Sequence, residues 1–319
     1  MHLFKVQEAM SFENKSIQLR DGRRLAYSEY GDPTGNPVFF IHGNPGSRLT
    51  RTSGEDFVKS LGVRIITPDR PGYGLSDFQP KRRLLDFPQD IAQLADALGL
   101  EQFPIFGVSA GGPYVAVCAH VLPRRITQAA IVSGPAPFDR ETPYEGMGPA
   151  WKMAFKMGKL PEWLLRLPIT LQVRAQGRDP EKHIDNLAAI LSKADAEHLK
   201  DPAVRARFKR NIPEATRKGT RGWTREVKIQ LRPWGFRLED IRVPVHLWYW
   251  QDDPAIPPQM GRYLERRIPT AIPHFLPGGG HLSIIDYLDK ILAELFRKEN
   301  RTSVMTRKQA ASNPFTTPK

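Results

Sequence analysis

A serine flanked by glycines is the feature of this chain with the clearest chemical meaning. Gly107-Val108-Ser109-Ala110-Gly111 follows the apolar run 103–106 and precedes the stretch 112–121, which is typical of a helix. A Gly-x-Ser-x-Gly segment between a strand and a helix forms a sharp turn that holds the serine hydroxyl clear of the sheet. Glycines on either side remove Cβ atoms that would clash in so tight a turn. The pattern predicts Ser109 as a nucleophile, with an inert tight turn as the alternative.

Two further groups of residues could complete a nucleophilic site. His281 follows three glycines, 278–280, and the adjacent carboxylates Asp252 and Asp253 follow the apolar run 245–250. A serine hydroxyl is a poor nucleophile unless a base such as histidine removes its proton during the attack. The imidazolium formed in that step needs an anion to orient and stabilise it. These residue types predict a Ser-His-Asp arrangement, provided that the fold brings the three segments together.

Four segments in a particular order resemble those of a known superfamily. They are the serine turn 107–111 together with 42–46 (His-Gly-Asn-Pro-Gly), 69–76 (Asp-Arg-Pro-Gly-Tyr-Gly-Leu-Ser) and 279–281 (Gly-Gly-His). With the chain order Ser, Asp, His, they resemble the cap-bearing serine hydrolases of the α/β-hydrolase fold-1 superfamily. The resemblance runs from about residue 16 to about residue 297. It implies an esterase-like enzyme.

The resemblance also implies which carboxylate is the acid of the site. In relatives the acid lies four residues before a proline that ends the loop, and Asp253 has this spacing to Pro257. Asp252 is the alternative. The chain departs from its relatives at Trp250, where a glycine is usual. We therefore expect Asp253 to orient His281.

The donors for a tetrahedral oxyanion are likewise implied by the resemblance. It places them on the backbone N–H groups of Asn44 and Ala110. Pro45 has no N–H group and cannot take this role. His42 precedes the serine, and His281 already supplies a base, so we interpret His42 as structural. The segment 69–76 is interpreted as a loop whose glycines and proline set its shape.

Strand-like and helix-like runs alternate along the chain, which favours a mostly parallel sheet. We expect an α/β-hydrolase fold, an eight-stranded, mostly parallel sheet flanked by helices, with an inserted helical cap. Helices are predicted at 86–98 and 282–296. Strands are predicted at 16–20, 25–30, 38–41, 63–67, 103–106, 127–132, 245–250 and 272–276.

The expected domain organisation places the cap inside the core. An N-terminal lead (1–15) precedes the first part of the core (16–134), and the cap (135–240) precedes the second part (241–297). A basic tail, 298–319, follows and is expected to be disordered because it is rich in polar residues. The cap supplies candidate residues for an apolar substrate pocket, with packing inside the cap as the alternative: Trp151, Phe155, Trp163 and Trp234.

The amino-acid composition limits the classes of protein to which this chain can belong. The formal net charge is +13, and residues 151–240 hold about twenty Lys and Arg against about eleven Asp and Glu. No nucleic-acid motif accompanies these charges, so we expect a solvated basic surface, with acidic substrates or anionic lipid surfaces as the alternative. Cys118 is the single cysteine, and no run of eighteen apolar residues or signal-like N-terminus occurs. We expect a cytoplasmic protein without metal or cofactor.

These observations predict a serine hydrolase that cleaves a small-molecule carboxylic ester through an acyl-enzyme intermediate. The same Ser-His-Asp residues could instead act on a thioester, an amide (as in aminopeptidase-like relatives) or a carbon–carbon bond. A ligand-binding protein without turnover is the alternative from another class. Fold does not determine substrate, so the sequence leaves these alternatives open.

Overall fold

The computed structural model describes residues 12–138 and 144–297. One eight-stranded sheet forms its centre. The strands are β1 (Lys15–Gln18), β2 (Arg24–Gly31), β3 (Asn36–Ile41), β4 (Val63–Pro68), β5 (Phe103–Val108), β6 (Ile126–Val132), β7 (Val245–Trp250) and β8 (Ala271–Leu276). Their order across the sheet is β1-β2-β4-β3-β5-β6-β7-β8. The pairs β1–β2 and β2–β4 are antiparallel, and all other neighbours are parallel. The predicted fold class is confirmed.

The central strands are apolar on both faces because helices cover the sheet from both sides. Successive side chains of a strand point to opposite faces. Phe39 of β3 accordingly packs on Phe103 with ring centroids 4.6 Å apart, in the core on one face. Its neighbour Phe40 stacks on Phe106 at 4.7 Å, in the core on the other face. Two separate layers of side chains therefore hold the sheet rigid beneath the site.

Five helices pack against the sheet. They are α1 (Glu55–Ser60), α2 (Phe87–Ala97), α3 (Gly112–Val121), α10 (Pro258–Arg267) and α11 (Ile284–Phe296). Apolar residues of α2, α3 and α10 join the core that contains Phe39, whereas those of α1 and α11 join the core that contains Phe40. The helix predicted at 86–98 matches α2, and the one predicted at 282–296 matches α11.

The chain between β6 and β7 forms a helical insert. Its helices are α4 (Pro149–Met157), α5 (Glu162–Arg178), α6 (Pro180–Ile190), α7 (Lys193–His198), α8 (Pro202–Ala215) and α9 (Arg221–Gln230), and the described residues of the insert include no strand. The core residue Tyr73 packs against four buried residues of the insert: Leu165, Ile169, Ala215 and Trp223. We call this helical insert the cap. Its exact limits, 135–240, remain a prediction.

Parts of the chain fall outside this description. Residues 1–11, 139–143 and 298–319, which include the predicted basic tail, lie outside the described residues. In the part that is described, none of the helices combines the length and the apolarity that crossing a membrane requires.

Candidate active site

Ser109 occupies the sharp turn predicted for it. β5 ends at Val108, and Ser109 begins a short 3-10 turn that leads directly into α3. The φ angle of Ser109 is +53°, in the left-handed region that residues other than glycine rarely adopt. A Cβ atom at Gly111 would lie 2.2 Å from the carbonyl oxygen of Ile41. The glycine therefore allows strand and helix to approach closely enough to form the turn.

His281 and Asp253 meet at the ends of two neighbouring strands. β7 precedes the loop of Asp253, and β8 precedes the loop of His281, so the parallel pairing of these strands brings both loops to one edge of the sheet. His281 Nδ1 lies 2.9 Å from Asp253 Oδ2. The other oxygen, Asp253 Oδ1, accepts hydrogen bonds from the backbone N–H groups of Ala255 (2.8 Å) and Ile256 (2.9 Å). Asp253 is buried and Asp252 is exposed, so the structure brings the former to the histidine.

The electrostatics of this pair favour the charged ring. Burial by itself lowers the pKa of His281, but the charge and the hydrogen bond of Asp253 outweigh it. The carboxylate of Asp195 acts in the same direction as Asp253. The pKa of His281 therefore lies above its ordinary value of 6.5. An imidazolium formed by proton transfer from Ser109 would be stabilised in this position.

Asp195 is a residue of the site that sequence reasoning missed. It belongs to α7 of the cap, is fully buried, and accepts hydrogen bonds from the backbone N–H groups of His281 (2.9 Å) and Leu282 (2.7 Å). It also forms a capping box with Ser192 at the start of α7. The Ser-x-x-Asp spacing is a signal for that helix start, but nothing in it indicates the contact with the histidine loop.

The predicted oxyanion donors lie beside the serine. Asn44, Ala110 and Ser109 line one cavity. A Cβ atom at Gly43 would lie 3.3 Å from Ser109 Cβ, so this loop passes close to the serine turn. The side chain of Asn44 is held by the hydroxyl of Tyr73, which donates to Asn44 Oδ1 at 2.7 Å. That the two N–H groups stabilise an oxyanion remains a prediction.

A buried ion network supports the loop of Asn44 and the turn of Ala110, which carry the predicted oxyanion donors. Arg70 donates to the carbonyl oxygens of Gly43 (2.8 Å) and Ala110 (3.1 Å). Its charge is balanced by Glu226 of cap helix α9, which binds Arg70 and Arg82 at 2.8 Å each. Burial raises the pKa of Glu226, but the two guanidinium groups outweigh it and hold the pKa below 4.5. Arg70 lies in the segment 69–76, which the sequence marks only as a shaped loop, and no local pattern marks Glu226.

His42 has the structural environment that we expected. It is fully buried, and the backbone N–H of Arg70 donates to its Nε2 at 3.2 Å. Nδ1 therefore carries the proton and donates to the carbonyl oxygen of Gly43 at 2.8 Å. Burial, and secondarily the charge of Arg70, lower the pKa of His42 well below 6.5. A neutral ring that bridges two loops is the result.

The loop after β4 is shaped around a buried carboxylate. Asp69 accepts from the backbone N–H groups of Arg48 (2.5 Å) and Leu75 (2.8 Å). Burial raises the pKa of Asp69 to about 6, against the opposing charge of Arg48. Gly74 has a φ of +50°, and a Cβ atom there would lie 2.1 Å from Asp69 Oδ2. The glycine is needed because the loop folds tightly over the carboxylate.

The cavity next to Ser109 has a volume of about 810 Å³. His281, Trp151 and Phe155 also line it. The ring of Trp151 lies 6.4 Å from that of His281, and its indole Nε1 is buried without a hydrogen-bond partner among the described residues. The structure thus places the predicted pocket residues Trp151 and Phe155 in the cavity.

Two other predicted pocket residues lie elsewhere, and the prediction is corrected for them. Trp163 is 71 % exposed and does not line the cavity, because it lies on the side of α5 opposite the buried residues Leu165 and Ile169. Trp234 is only 4 % exposed but also lies off the cavity. It packs in the core with its ring 6.0 Å from that of Phe236.

Metal ligands and a reactive thiol are two other kinds of functional group that a site can contain. Within residues 12–138 and 144–297, no three His, Cys, Asp or Glu side chains are grouped so that they could hold a metal ion. The thiol of Cys118 is fully buried in α3, and burial raises its pKa. Cys118 is therefore a packed apolar side chain.

The family of the chain follows from a direct match. The model of the α/β-hydrolase fold family matches residues 36–287, which is most of the chain. The chain therefore belongs to the α/β-hydrolase fold family, and the predicted superfamily is confirmed.

Individual relatives have different chemistry. The chain is 35 % identical over 124 residues to a non-heme chloroperoxidase of Streptomyces lividans, a match that covers 38 % of this chain and 45 % of that protein. It is 26 % identical to a 2-hydroxy-6-oxo-6-phenylhexa-2,4-dienoate hydrolase of Burkholderia cepacia, over 80 % of this chain and 84 % of that protein. An esterase structure from Exiguobacterium antarcticum superimposes with a TM-score of 0.66 at 17 % identity, covering 88 % of this chain and 97 % of the other. At 17 % identity, the likeness to the esterase structure concerns the fold alone.

Proposed function

We propose that this protein is a serine hydrolase that cleaves carboxylic esters, with Ser109 as nucleophile, His281 as general base and Asp253 as the orienting acid. One observation carries the proposal. The 2.9 Å contact between His281 Nδ1 and Asp253 Oδ2 fixes the ring beside the cavity that Ser109 lines. Because Nδ1 faces the carboxylate, Nε2 is the nitrogen available to accept a proton from the serine.

The proposed reaction has two halves. Ser109 Oγ attacks the ester carbonyl carbon while His281 Nε2 accepts the hydroxyl proton, and the oxyanion accepts hydrogen bonds from the N–H groups of Asn44 and Ala110. The intermediate collapses, the C–O bond to the alcohol breaks, and His281 returns the proton to the departing alcohol. Water then attacks the acyl-enzyme with His281 again as base, which releases the acid and restores Ser109.

The lining of the cavity favours an apolar group near the serine. Trp151 and Phe155 of cap helix α4 face the same space as Ser109. Aromatic side chains gain most from burying apolar surface, so they suit an acyl chain better than a charged group. We propose a small-molecule ester with an apolar acyl part as the substrate.

The single buried thiol of Cys118 is compatible with a reducing compartment, and the cytoplasm is the proposed location.

Cleavage of a carbon–carbon bond is the second candidate. The relative named for hydrolysis of a dienoate matches 80 % of this chain, which is the longest of the matches in sequence described above. The same three residues would act, with a carbon instead of an oxygen as the leaving atom. Thioester cleavage, amide cleavage and ligand binding without turnover become the alternatives if the parent protein turns over neither the esters nor a dienoate in the test below.

The test is hydrolysis of p-nitrophenyl esters, from acetate to palmitate, by the parent protein and by Ser109→Ala. We expect activity that falls by at least about a thousandfold in the variant, because the nucleophile is lost. Asp253→Asn should lower kcat about as severely as loss of a triad acid does elsewhere, by about ten thousandfold. The chain length that gives the highest kcat/KM would measure the depth of the acyl pocket.

Two matched variants serve as controls. Asp252→Asn changes the exposed neighbour of Asp253 and should leave kcat within about twofold, and Ser60→Ala removes an exposed hydroxyl on α1. Full activity in Ser109→Ala would overturn the nucleophile. A larger loss in Asp252→Asn than in Asp253→Asn would overturn the acid. No ester turnover by the parent, with turnover of a dienoate, would replace the ester proposal by the carbon–carbon one.

A further inference from the structure

Exposed apolar side chains concentrate on two helices of the cap. Met153 of α4 is 58 % exposed, and Trp163, Leu167 and Leu171 of α5 are 71 %, 57 % and 64 % exposed. Single exposed apolar residues are ordinary, but several on one face of a helix indicate a surface that meets an apolar partner. We call the three residues of α5, Trp163, Leu167 and Leu171, the apolar cap face.

The arrangement along α5 is that of an amphipathic helix turned outwards. Trp163, Leu167 and Leu171 follow one another at intervals of four residues, so they lie on one side of the helix. The buried residues of α5, which include Leu165 and Ile169, lie on the opposite side. The residues of the apolar cap face therefore lie outside the buried core of the cap and expose more than half of their side-chain surface.

The charge around this face is positive. Residues 149–178 contain six Lys and Arg and a single acidic residue, Glu162. Glu162 is itself paired with Arg225 at 3.2 Å. Arg174 and Arg178 are exposed and continue the same side of α5 beyond Leu171. A second copy of the chain would bring like charges together, so the charge favours an anionic partner.

The catalytic cavity lies on the other side of α5. Gln172 and Gln176 line the cavity, and both lie about half a helical turn away from Trp163. The apolar cap face is therefore a surface separate from the lining of the cavity.

We propose that the apolar cap face docks on the surface of a bilayer that contains anionic lipids. Trp163, Leu167 and Leu171 enter the boundary between headgroups and acyl chains, where tryptophan is favoured. Arg174 and Arg178 contact the anionic headgroups, and each basic residue near such a surface strengthens binding by about fivefold.

The experiment measures binding to vesicles without any ester substrate, so it can fail independently of the proposed esterase function. The full chain is mixed with phosphatidylcholine vesicles that contain either no phosphatidylglycerol or about 30 % of it. Sedimentation gives the partition coefficient, and tryptophan emission reports on Trp163. We expect binding only to the anionic vesicles, with a blue shift that is absent in Trp163→Phe.

Substitutions test whether the apolar cap face, and not another part of the protein, binds the vesicles. Replacing Trp163, Leu167 and Leu171 by Gln, which keeps the helix, should weaken partition by at least about tenfold. The matched control is Phe57→Gln, at an apolar residue that is 42 % exposed on α1 of the core. Arg174→Glu with Arg178→Glu should weaken partition by a similar factor.

Three results would overturn the proposal. One is the absence of vesicle binding by the parent. Another is binding that the triple Gln variant retains, since the attachment would then lie elsewhere, for example in residues 298–319. The third is equal binding to neutral and anionic vesicles. Circular dichroism of each variant distinguishes loss of binding from loss of folding.

Discussion

At the scale of single residues, His281 is held from two sides. Asp253 binds its ring, and the cap residue Asp195 binds the backbone N–H groups of His281 and Leu282. The first contact orients the imidazole, and the second fixes the loop from which it extends. Asp195 touches no reacting atom, so it is a positioning residue. Because Asp195 belongs to cap helix α7, its hydrogen bonds couple the position of the cap to the position of His281.

This arrangement predicts the pH dependence of catalysis. Only the neutral ring of His281 can accept a proton, so kcat/KM should fall as the pH drops through the pKa of His281. Because that pKa lies above 6.5, the half-maximal point of the parent should also lie above pH 6.5. Asp195→Asn removes a charge that raises this pKa and one of two acceptors, so the half-maximal point should move to lower pH and kcat should fall by about tenfold.

Another helix cap provides the control for this prediction. Asp201 accepts a hydrogen bond from the N–H of Ala203 at the start of α8, and it does not contact His281. Asp201→Asn should leave the pH profile of kcat/KM unchanged. A profile that is the same in the parent and in Asp195→Asn would show that Asp195 acts on folding alone.

At the scale of elements, the cap is joined to the core by buried ions. Glu226 of α9 lies between Arg70 and Arg82 and also accepts from the hydroxyl of Tyr114 at 2.7 Å. Since the pKa of Glu226 is lowered, its stabilisation of the fold is present above pH 4.5 and is lost as the pH falls through the lowered value. Near neutral pH the network is fully charged.

Removing the central charge should therefore destabilise the protein strongly. Glu226→Gln preserves the shape of the side chain but leaves Arg70 and Arg82 buried without an anion. We expect the free energy of unfolding to fall by about 3–5 kcal/mol, measured by urea denaturation at neutral pH. The control is Glu162→Gln, whose partly exposed pair with Arg225 should contribute about 1 kcal/mol or less. Equal losses in the two variants would contradict this assignment.

At the scale of the whole molecule, the chain is strongly basic, and part of its positive charge lines the cavity. The formal net charge is +13, and the lining of the cavity includes Arg51, Lys182, Arg207 and one acidic residue, Asp179. A positive electrostatic field raises the encounter rate of anionic ligands and is screened by salt. For the proposed esterase, we therefore expect an anionic group remote from the scissile bond to speed the encounter of an ester with the cavity.

The salt dependence of kcat/KM tests whether positive charge attracts an anionic substrate. Raising NaCl from about 20 mM to about 500 mM should lower kcat/KM for p-nitrophenyl hemisuccinate by about threefold or more. The neutral p-nitrophenyl butyrate is the control and should change little. The same salt dependence for both esters would indicate that the charge does not act on the substrate.

Local patterns of residues are enough to predict the sheet and the serine turn. The sequence predicts strands at 245–250 and 103–106; β7 occupies the first range, and β5 extends two residues beyond the second. Runs of apolar residues and glycines act over a few neighbouring residues, so their consequences can be predicted locally. The turn at Ser109 is of this kind, because the glycines that permit it are two residues away on either side.

How distant segments of the chain meet cannot be predicted from local patterns. The choice of Asp253 over Asp252 depends on which carboxylate the loop turns inwards, and the contacts of Asp195 and Glu226 join parts of the chain that are far apart in sequence. Trp163 was placed in the pocket because of its residue type, whereas the packing of α5 turns it to solvent. Local pattern specifies an element and its apolar side, but the neighbour of each side chain is set by how the elements pack together.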